Sequence, residues 1–307
     1  MGVEDVWRRI LFAILSVVFL FPLPGDVIVV TWNMKWFPSG KADLRAEPEY
    51  ERENIARAGR TLAEAIDDQR RSRKEKSSSG LVVFAQEMRD AEVCGQYVQA
   101  SGVEGLRLVS VSNYKDNGGV PLWQQMAIMS TLPVLESGYT LWSTGDGVSI
   151  PRGFAFALLD GGAEGHIACI SIHLKSNVNR TGSVQESQKN IYKREAAAGQ
   201  ILAAVRELRR RRPGVKLRIL VGGDFNTNED DPAFVSEATL RSFYGAHYRS
   251  CFRDWKKSQC VTHPGDRNFP DATFDYILYH GFERIVSRRI FPGAPVSDHN
   301  LVALRLR

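Results

Sequence analysis

"VGGDFNTNED", residues 221–230, ends an apolar run, "LRILVGGDFN", in two glycines, an acid, an aromatic and an amide. An extended chain alternates its side chains between two faces, so Asp224 and Asn226 fall on the same face at the strand's end. A carboxylate beside an amide holds a hard cation or polarises a phosphate. Gly, Asp and Asn are equally the ordinary residues of a turn. The other strand ends decide between the two readings.

"DVIVVTWNMKWF" (26–37) reads as a buried, β-branched strand that runs out at Asn33. The 47–71 segment has Ile55, Leu62 and Ile66 at helical spacing with charges opposite, which predicts a helix. "LVVFAQE" (81–87) is a second buried strand ending in Gln86 and Glu87, so this part of the chain reads as a strand–helix–strand crossover. Strand-like runs follow at 106–112, 124–130, 153–160 and 166–174, with "GGAEG" (161–165) as a hairpin loop. A long helix is expected over 183–210, with Ile191, Ala198, Leu202 and Val205 on its inner stripe, and a short helix near 231–238. "TFDYILYH" (273–280) and "NLVALRLR" complete the strands. No repeat or composition break divides the chain.

Polar residues therefore recur where strands end: Asn33, Glu87, His173, Asp224 with Asn226, and Asp298 with His299. Asp275 sits inside an apolar run, where an unpaired carboxylate costs several kcal/mol and so needs a partner. Taken singly, each is a turn residue, a cap or a satisfied core group. Together they supply oxygens suited to Mg²⁺ or Mn²⁺ and imidazoles suited to proton transfer. No H-E-x-x-H, G-x-S-x-G or G-x-x-x-x-G-K-[ST] is present, which argues against zinc hydrolase, serine hydrolase and ATP-binding chemistry.

The ends of the chain and its charge bound the setting. The 307 residues carry a formal charge of +5, which favours anionic partners. "ELRRRRPG" (207–214) holds much of the excess and also suits a solvated helix end. Arg8 and Arg9 precede an apolar run from Ile10 to Leu23, short for a membrane span and of signal-peptide length. Residues 1–25 are therefore read as a signal peptide, with a membrane anchor as the alternative; the product is expected to be secreted or periplasmic. Cys94, Cys169, Cys251 and Cys260 match no metal spacing, and Cys251 and Cys260 flank a short polar loop that a disulfide could close after export.

The ordered series "TWNMKWF", "FAQE", "SIHLKS", "GGDFN", "TFDYIL" and "SDH" resembles the signature of the endonuclease/exonuclease/phosphatase superfamily, the deoxyribonuclease I-like fold, across residues 28 to 305. The resemblance implies one α/β (α+β) domain over 26–307: a four-layer sandwich of two packed, mainly antiparallel sheets with helices outside. It implies hydrolysis of a phosphoester by metal-activated water, with Mg²⁺, Mn²⁺ or Ca²⁺ as cofactor. By motif position Glu87 is the principal metal ligand, with Asn33 and Asp298 close by. His173 contacts the scissile phosphate, Asp224 and Asn226 orient water or phosphate, and His299 pairs with Asp275. Asp224 and the His299–Asp275 pair are both candidates for the general base, with His299 favoured. Lys175, Arg152 and Arg89 are candidate phosphate contacts, and Trp36 and Tyr114 candidate sugar or base contacts. The expected protein is a monomeric nuclease acting on DNA or RNA. The alternatives are a phosphatase or phospholipid phosphodiesterase, and a non-catalytic module on the same scaffold. "SDHN" departs from the many relatives with an apolar residue or proline after the histidine.

Overall fold

The computed structural model describes residues 25–42, 44–71, 79–143, 149–178, 182–267 and 269–307. The expected signal peptide or anchor at 1–25 lies outside these residues, apart from Gly25 itself. Strand β1 (Val27–Phe37) leads through helix α1 (Pro48–Arg71) to β2 (Gly80–Met88), helix α2 (Ala91–Ser101), β3 (Arg107–Val111) and β4 (Gln125–Ser130). Next come β5 (Val134–Leu141), β6 (Gly153–Asp160), β7 (His166–His173), helix α3 (Val184–Arg211) and β8 (Leu217–Asp224). Helix α4 (Thr239–Gly245), β9 (Arg249–Ser250), β10 (Asp275–His280), β11 (Ile285–Phe291) and β12 (Leu301–Leu306) complete the chain.

The strands form two sheets of six, ordered β11-β12-β1-β2-β4-β3 and β5-β6-β7-β8-β10-β9. Pairing is antiparallel except for β1 with β2 and β7 with β8. Both exceptions follow from a helical crossover, α1 in one case and α3 in the other. The apolar run of β1 is explained by its two buried faces. Val27 and Val29 face the opposite sheet, whereas Ile28, Val30 and Trp32 pack with Ile55, Leu62 and Ile66 of α1 and with α2. On the far side α3 buries Ala197, Ala198, Ile201 and Val205 against the second sheet. Its inner face is turned slightly from the expected one, since Ile191 and Leu202 are only half-buried.

The expected short helix at 231–238 is instead a single 3-10 turn, Pro232–Phe234, and the α-helix begins at Thr239. All four cysteines are buried free thiols, so Cys251 and Cys260 are not bridged. The Cys251 sulfur accepts the Ile277 amide, while the Cys260 thiol meets the Lys256 carbonyl.

Register brings the polar strand ends to one end of the sandwich. Asn33 lies beside Gln86, His173 beside Asp224, and Asp224 beside Asp275. The loop from β11 to β12 returns Asp298 and His299 to that same end.

Candidate active site

The two glycines of the opening motif make the closeness possible. A Cβ on Gly222 would lie 2.2 Å from the Phe84 ring of the facing sheet. Gly223 has φ 148°, and a Cβ there would lie 1.9 Å from the Ile172 carbonyl oxygen. Side chains at either position would push the sheets or strands apart just where Asp224 must meet its neighbours.

Asn33 is the hub. Its Nδ2 donates to Glu87 Oε1 at 3.2 Å and to Asp224 Oδ2 at 3.0 Å. A bulge in β1 after Asn33, with Lys35 and Trp36 at φ 47° and 48°, turns the Trp36 amide onto Glu87 Oε2 at 3.0 Å. Glu87 itself has φ 58° and Asn226 φ 51°, so left-handed backbone gathers at this end of the sandwich. Asp224 Oδ1 accepts the Asn226 amide at 2.8 Å, and Asn226 Nδ2 donates to the Leu174 carbonyl. Asn226 thus holds a carboxylate and a loop rather than presenting its amide to the centre.

His173 closes the group from β7, its Nε2 lying 3.7 Å from Glu87 Oε1 and 3.6 Å from Asp224 Oδ2. Burial, followed by the charge of Arg152, holds its pKa well below the ordinary value, so it is neutral. Its Nδ1 has no hydrogen-bond partner. His299 Nδ1 is 2.7 Å from Asp275 Oδ2, the partner that the buried acid requires. Burial alone would lower the His299 pKa, but the charge and hydrogen bond of Asp275 outweigh it and raise it to about 10. Asp224 goes the other way from its ordinary range: burial and then the charge of Asp275 push it up to about 7.

The remaining candidates have partners around this centre. Asp298 pairs with Lys35, 2.8 Å away, and one of its oxygens lies within 4.8 Å of ring nitrogens of His299 and His263. Burial works to raise its pKa, yet the Lys35 hydrogen bond and the His299 charge hold it low. Arg89 pairs with Glu51 at 2.7 Å and Asp90 at 3.3 Å. Lys175 lies beyond the end of β7, and its ammonium caps the Ser176 carbonyl and hydroxyl rather than following the face of His173. Arg152, at φ 69°, donates to the carbonyls of His173 and Leu174 and to Gln124. Buried Arg194 takes the next carbonyl, that of Lys175. Successive carbonyls from the last residue of β7 onward are thus tied down by the guanidiniums of half-buried Arg152 and buried Arg194, which fixes His173. Tyr114 is buried and meets Tyr139 edge to face, so it is not an exposed base contact; Trp36 is half-buried.

Several contributors escape a reading of strand ends. The Ser297 hydroxyl donates to the Asn33 carbonyl and accepts the His299 amide, joining the two halves of the site. Trp32 Nε1 donates to the His299 carbonyl. His263 packs edge-on against His299, ring centres 4.8 Å apart. Its position before a Pro-Gly turn gives no periodic signal.

Glu87, Asp224 and Asp275 are three buried carboxylates, and His299 brings one positive charge among them. Asp275 Oδ1 is a buried oxygen with no partner. One oxygen or nitrogen each of Asp224, Asp275 and His299 lies within 4.8 Å of the others. Surplus buried negative charge, oxygen donors and an unpaired carboxylate oxygen fit a hard divalent cation.

The model of the Endonuclease/Exonuclease/phosphatase family matches residues 30–299. No curated protein matches. Among solved structures, an endonuclease/exonuclease/phosphatase family protein from Leptotrichia buccalis C-1013-b aligns with TM-score 0.60 at 15% identity, covering 92% of this chain and 99% of that one. TDP2 of D. rerio, complexed with a single-strand DNA product, aligns with TM-score 0.57 at 13% identity over 92% and 99%. SmcL aligns with TM-score 0.58 at 14% identity, again over 92% and 99%. Enzymes of this family are phosphoester hydrolases that use divalent metals. The matched span takes in the whole run of strand ends from Asn33 to His299, and the chain belongs to the endonuclease/exonuclease/phosphatase family.

Proposed function

We propose that the protein is a divalent-metal-dependent phosphodiester hydrolase whose substrate is DNA or RNA, with Mg²⁺ as the working ion. The observation that carries this reading is the pairing of opposite protonation tendencies in one buried group. His299 is held charged by Asp275 at 2.7 Å, while Asp224, with its pKa raised to about 7, keeps affinity for a proton near neutral pH. Glu87 would hold the cation, with Asn33 orienting its carboxylate and that of neighbouring Asp224. When bound, it offsets negative charge growing on the phosphoryl oxygens.

The chain's own residues supply the rest. Asp224 takes the proton of the attacking water, and charged His299 donates toward the phosphoryl group or the leaving oxygen. This assigns His299 the acid role and moves the base to the carboxylate. Neutral His173 contacts the phosphate, a role supported by the Arg152 hydrogen bonds that hold its main-chain carbonyl. The net charge of +5 supports a polyanionic substrate, and one structural neighbour was solved with a DNA product. Arg8, Arg9 and the apolar run Ile10–Leu23 support action outside the cytoplasm, either released or held at a membrane.

The full chain incubated with plasmid DNA, RNA, sphingomyelin and a generic phosphodiester, with Mg²⁺ or with chelator, tests the reading. Cleavage of nucleic acid that needs Mg²⁺ and falls at least about a hundredfold in Glu87→Ala is the expected result. Hydrolysis of lipid but not of nucleic acid would overturn the nuclease assignment. Turnover indifferent to chelator and to Glu87→Ala would overturn the metal mechanism.

A further inference from the structure

A second concentration of charge lies away from the candidate active site. The strands β9 and β11 are edge strands of opposite sheets, and a cavity of about 500 Å³ opens where they approach each other. Arg249, Arg253, Arg284 and Arg288 line it, with Trp255 and Tyr279, against one lining acid, Asp254. The arginines divide into two kinds. Arg249 covers the Tyr279 ring at 5.0 Å and donates to the Phe282 carbonyl, while Arg288 covers Trp255 at 4.7 Å and donates to the carbonyls of Cys251 and Arg253. These build the walls. Arg253 and Arg284 are exposed, and the nearest acid contact of Arg253 is to the exposed Asp254 at 4.0 Å.

Register sets this cavity apart from the catalytic end. Asp275 opens β10, whereas Tyr279, paired with Arg249, is four residues further on, roughly 13 Å along the strand. It is also where the chain enters the domain. Asp26, just before β1, pairs with Arg307 at 2.9 Å, and Arg307 exchanges backbone hydrogen bonds with Arg284. Asp26 thus begins the domain beside the arginine-lined cavity, and in the sequence it follows the apolar run Ile10–Leu23 by three residues.

We infer that this cavity and its rim are the face by which the domain rests on an anionic phospholipid surface, with Arg253 and Arg284 receiving headgroup phosphates. Guanidiniums suit phosphate oxygens, and a Trp among them suits the interfacial zone of a bilayer. The sequence supplies an apolar segment just ahead of Asp26 and the structure a basic surface near Asp26, and an apolar segment with a basic surface are the two signals that together give stable membrane attachment. The catalytic end then faces away from the bilayer, open to a soluble substrate. This inference is independent of the identity of that substrate.

The test compares the full chain with an R253Q/R284Q variant on phosphatidylcholine vesicles and on vesicles with 30 mol% phosphatidylglycerol, by flotation. The N-terminal segment, with Arg8 and Arg9, contributes equally to the two proteins, so the readout is how far the ratio of anionic to neutral partitioning falls in the variant. Two basic residues near the surface account for roughly a thirtyfold preference, which the variant should lose, and the wild-type ratio should fade in high salt. Thermal melting and turnover of a soluble phosphodiester should match between the two proteins, since neither arginine touches the catalytic end. Equal ratios for the two proteins would overturn the inference. So would a variant that keeps its vesicle preference but loses affinity for a duplex oligonucleotide, which would give the cavity to nucleic acid.

Discussion

His299 and Asp275 show how much one buried contact determines. Asp275 is fully buried and accepts the imidazole through a single oxygen, so its charge is matched only while His299 is protonated. Asp275→Asn keeps the shape and removes the charge. His299 then loses the interaction that raises its pKa and falls toward neutrality at physiological pH. We expect kcat to drop by two to four orders of magnitude, comparable to loss of a catalytic pair's orienting acid. The pH optimum of the residual activity should also move to lower pH, since removing the Asp275 charge lowers the pKa of both His299 and Asp224. A pH–rate profile of the variant checks this; a profile parallel to that of the wild type would mean that Asp275 serves structure alone. At this scale the sequence was informative where chemistry forbids alternatives. A carboxylate inside "TFDYIL" demands a partner, and one lies 2.7 Å away. It was silent on Ser297 and His263, because a small hydroxyl or a lone imidazole in a loop costs nothing to leave in water. It was silent too on the partners of Arg89 and Lys175, since a cation near a motif says nothing about the acid or carbonyl it meets.

Elements were legible in proportion to their burial. The strands β1, β2, β4, β6, β7, β8, β10 and β12 are buried along nearly their whole length and stand out as apolar runs. The edge strand β5 is almost wholly exposed and β11 only half-buried, so neither carries such a run, and β9 has just two residues. The helix α2 had signals of another kind: Asp90 caps it by accepting the Val93 amide, and Gly102 ends it in the left-handed conformation. Packing between elements explains the double glycine of β8. Gly222→Val would drive a branched side chain into Phe84, which belongs to the sheet-to-sheet core. Overpacking of this kind costs about 1–3 kcal/mol, and here it acts two residues from Asp224. We expect a lower melting temperature together with lost activity, and partial recovery of both when Phe84→Ala is added. Failure of the double variant to recover either property would place the strain elsewhere.

Across the whole molecule, two sheets are held together by a dry core yet meet at one end in a cluster of like charges, and that end is where pH and metal should act on stability. The folded state raises the Asp224 pKa from 3.8 to about 7, so it binds this proton more tightly than the unfolded chain does. Stability from this group therefore falls as pH rises from about 4 to about 7. The His299 pKa is raised from 6.5 to about 10, so its contribution is complete below pH 6.5 and is lost as pH climbs toward 10. Without metal, both groups make the fold weaker at alkaline pH. A divalent cation held at Glu87 would favour the ionised form of neighbouring Asp224 and so oppose its proton, and it should stabilise more at pH 8 than at pH 5. At a hundredfold excess over its Kd, binding contributes about 2.7 kcal/mol, or roughly 5 °C for a domain of this size. Melting curves with Mg²⁺ and with chelator at the two pH values measure the difference directly. An increment that is absent, or equal at both, would mean that no cation sits at Glu87 beside Asp224. An increment at pH 8 that disappears in Glu87→Gln would locate the ion there without any assay of turnover.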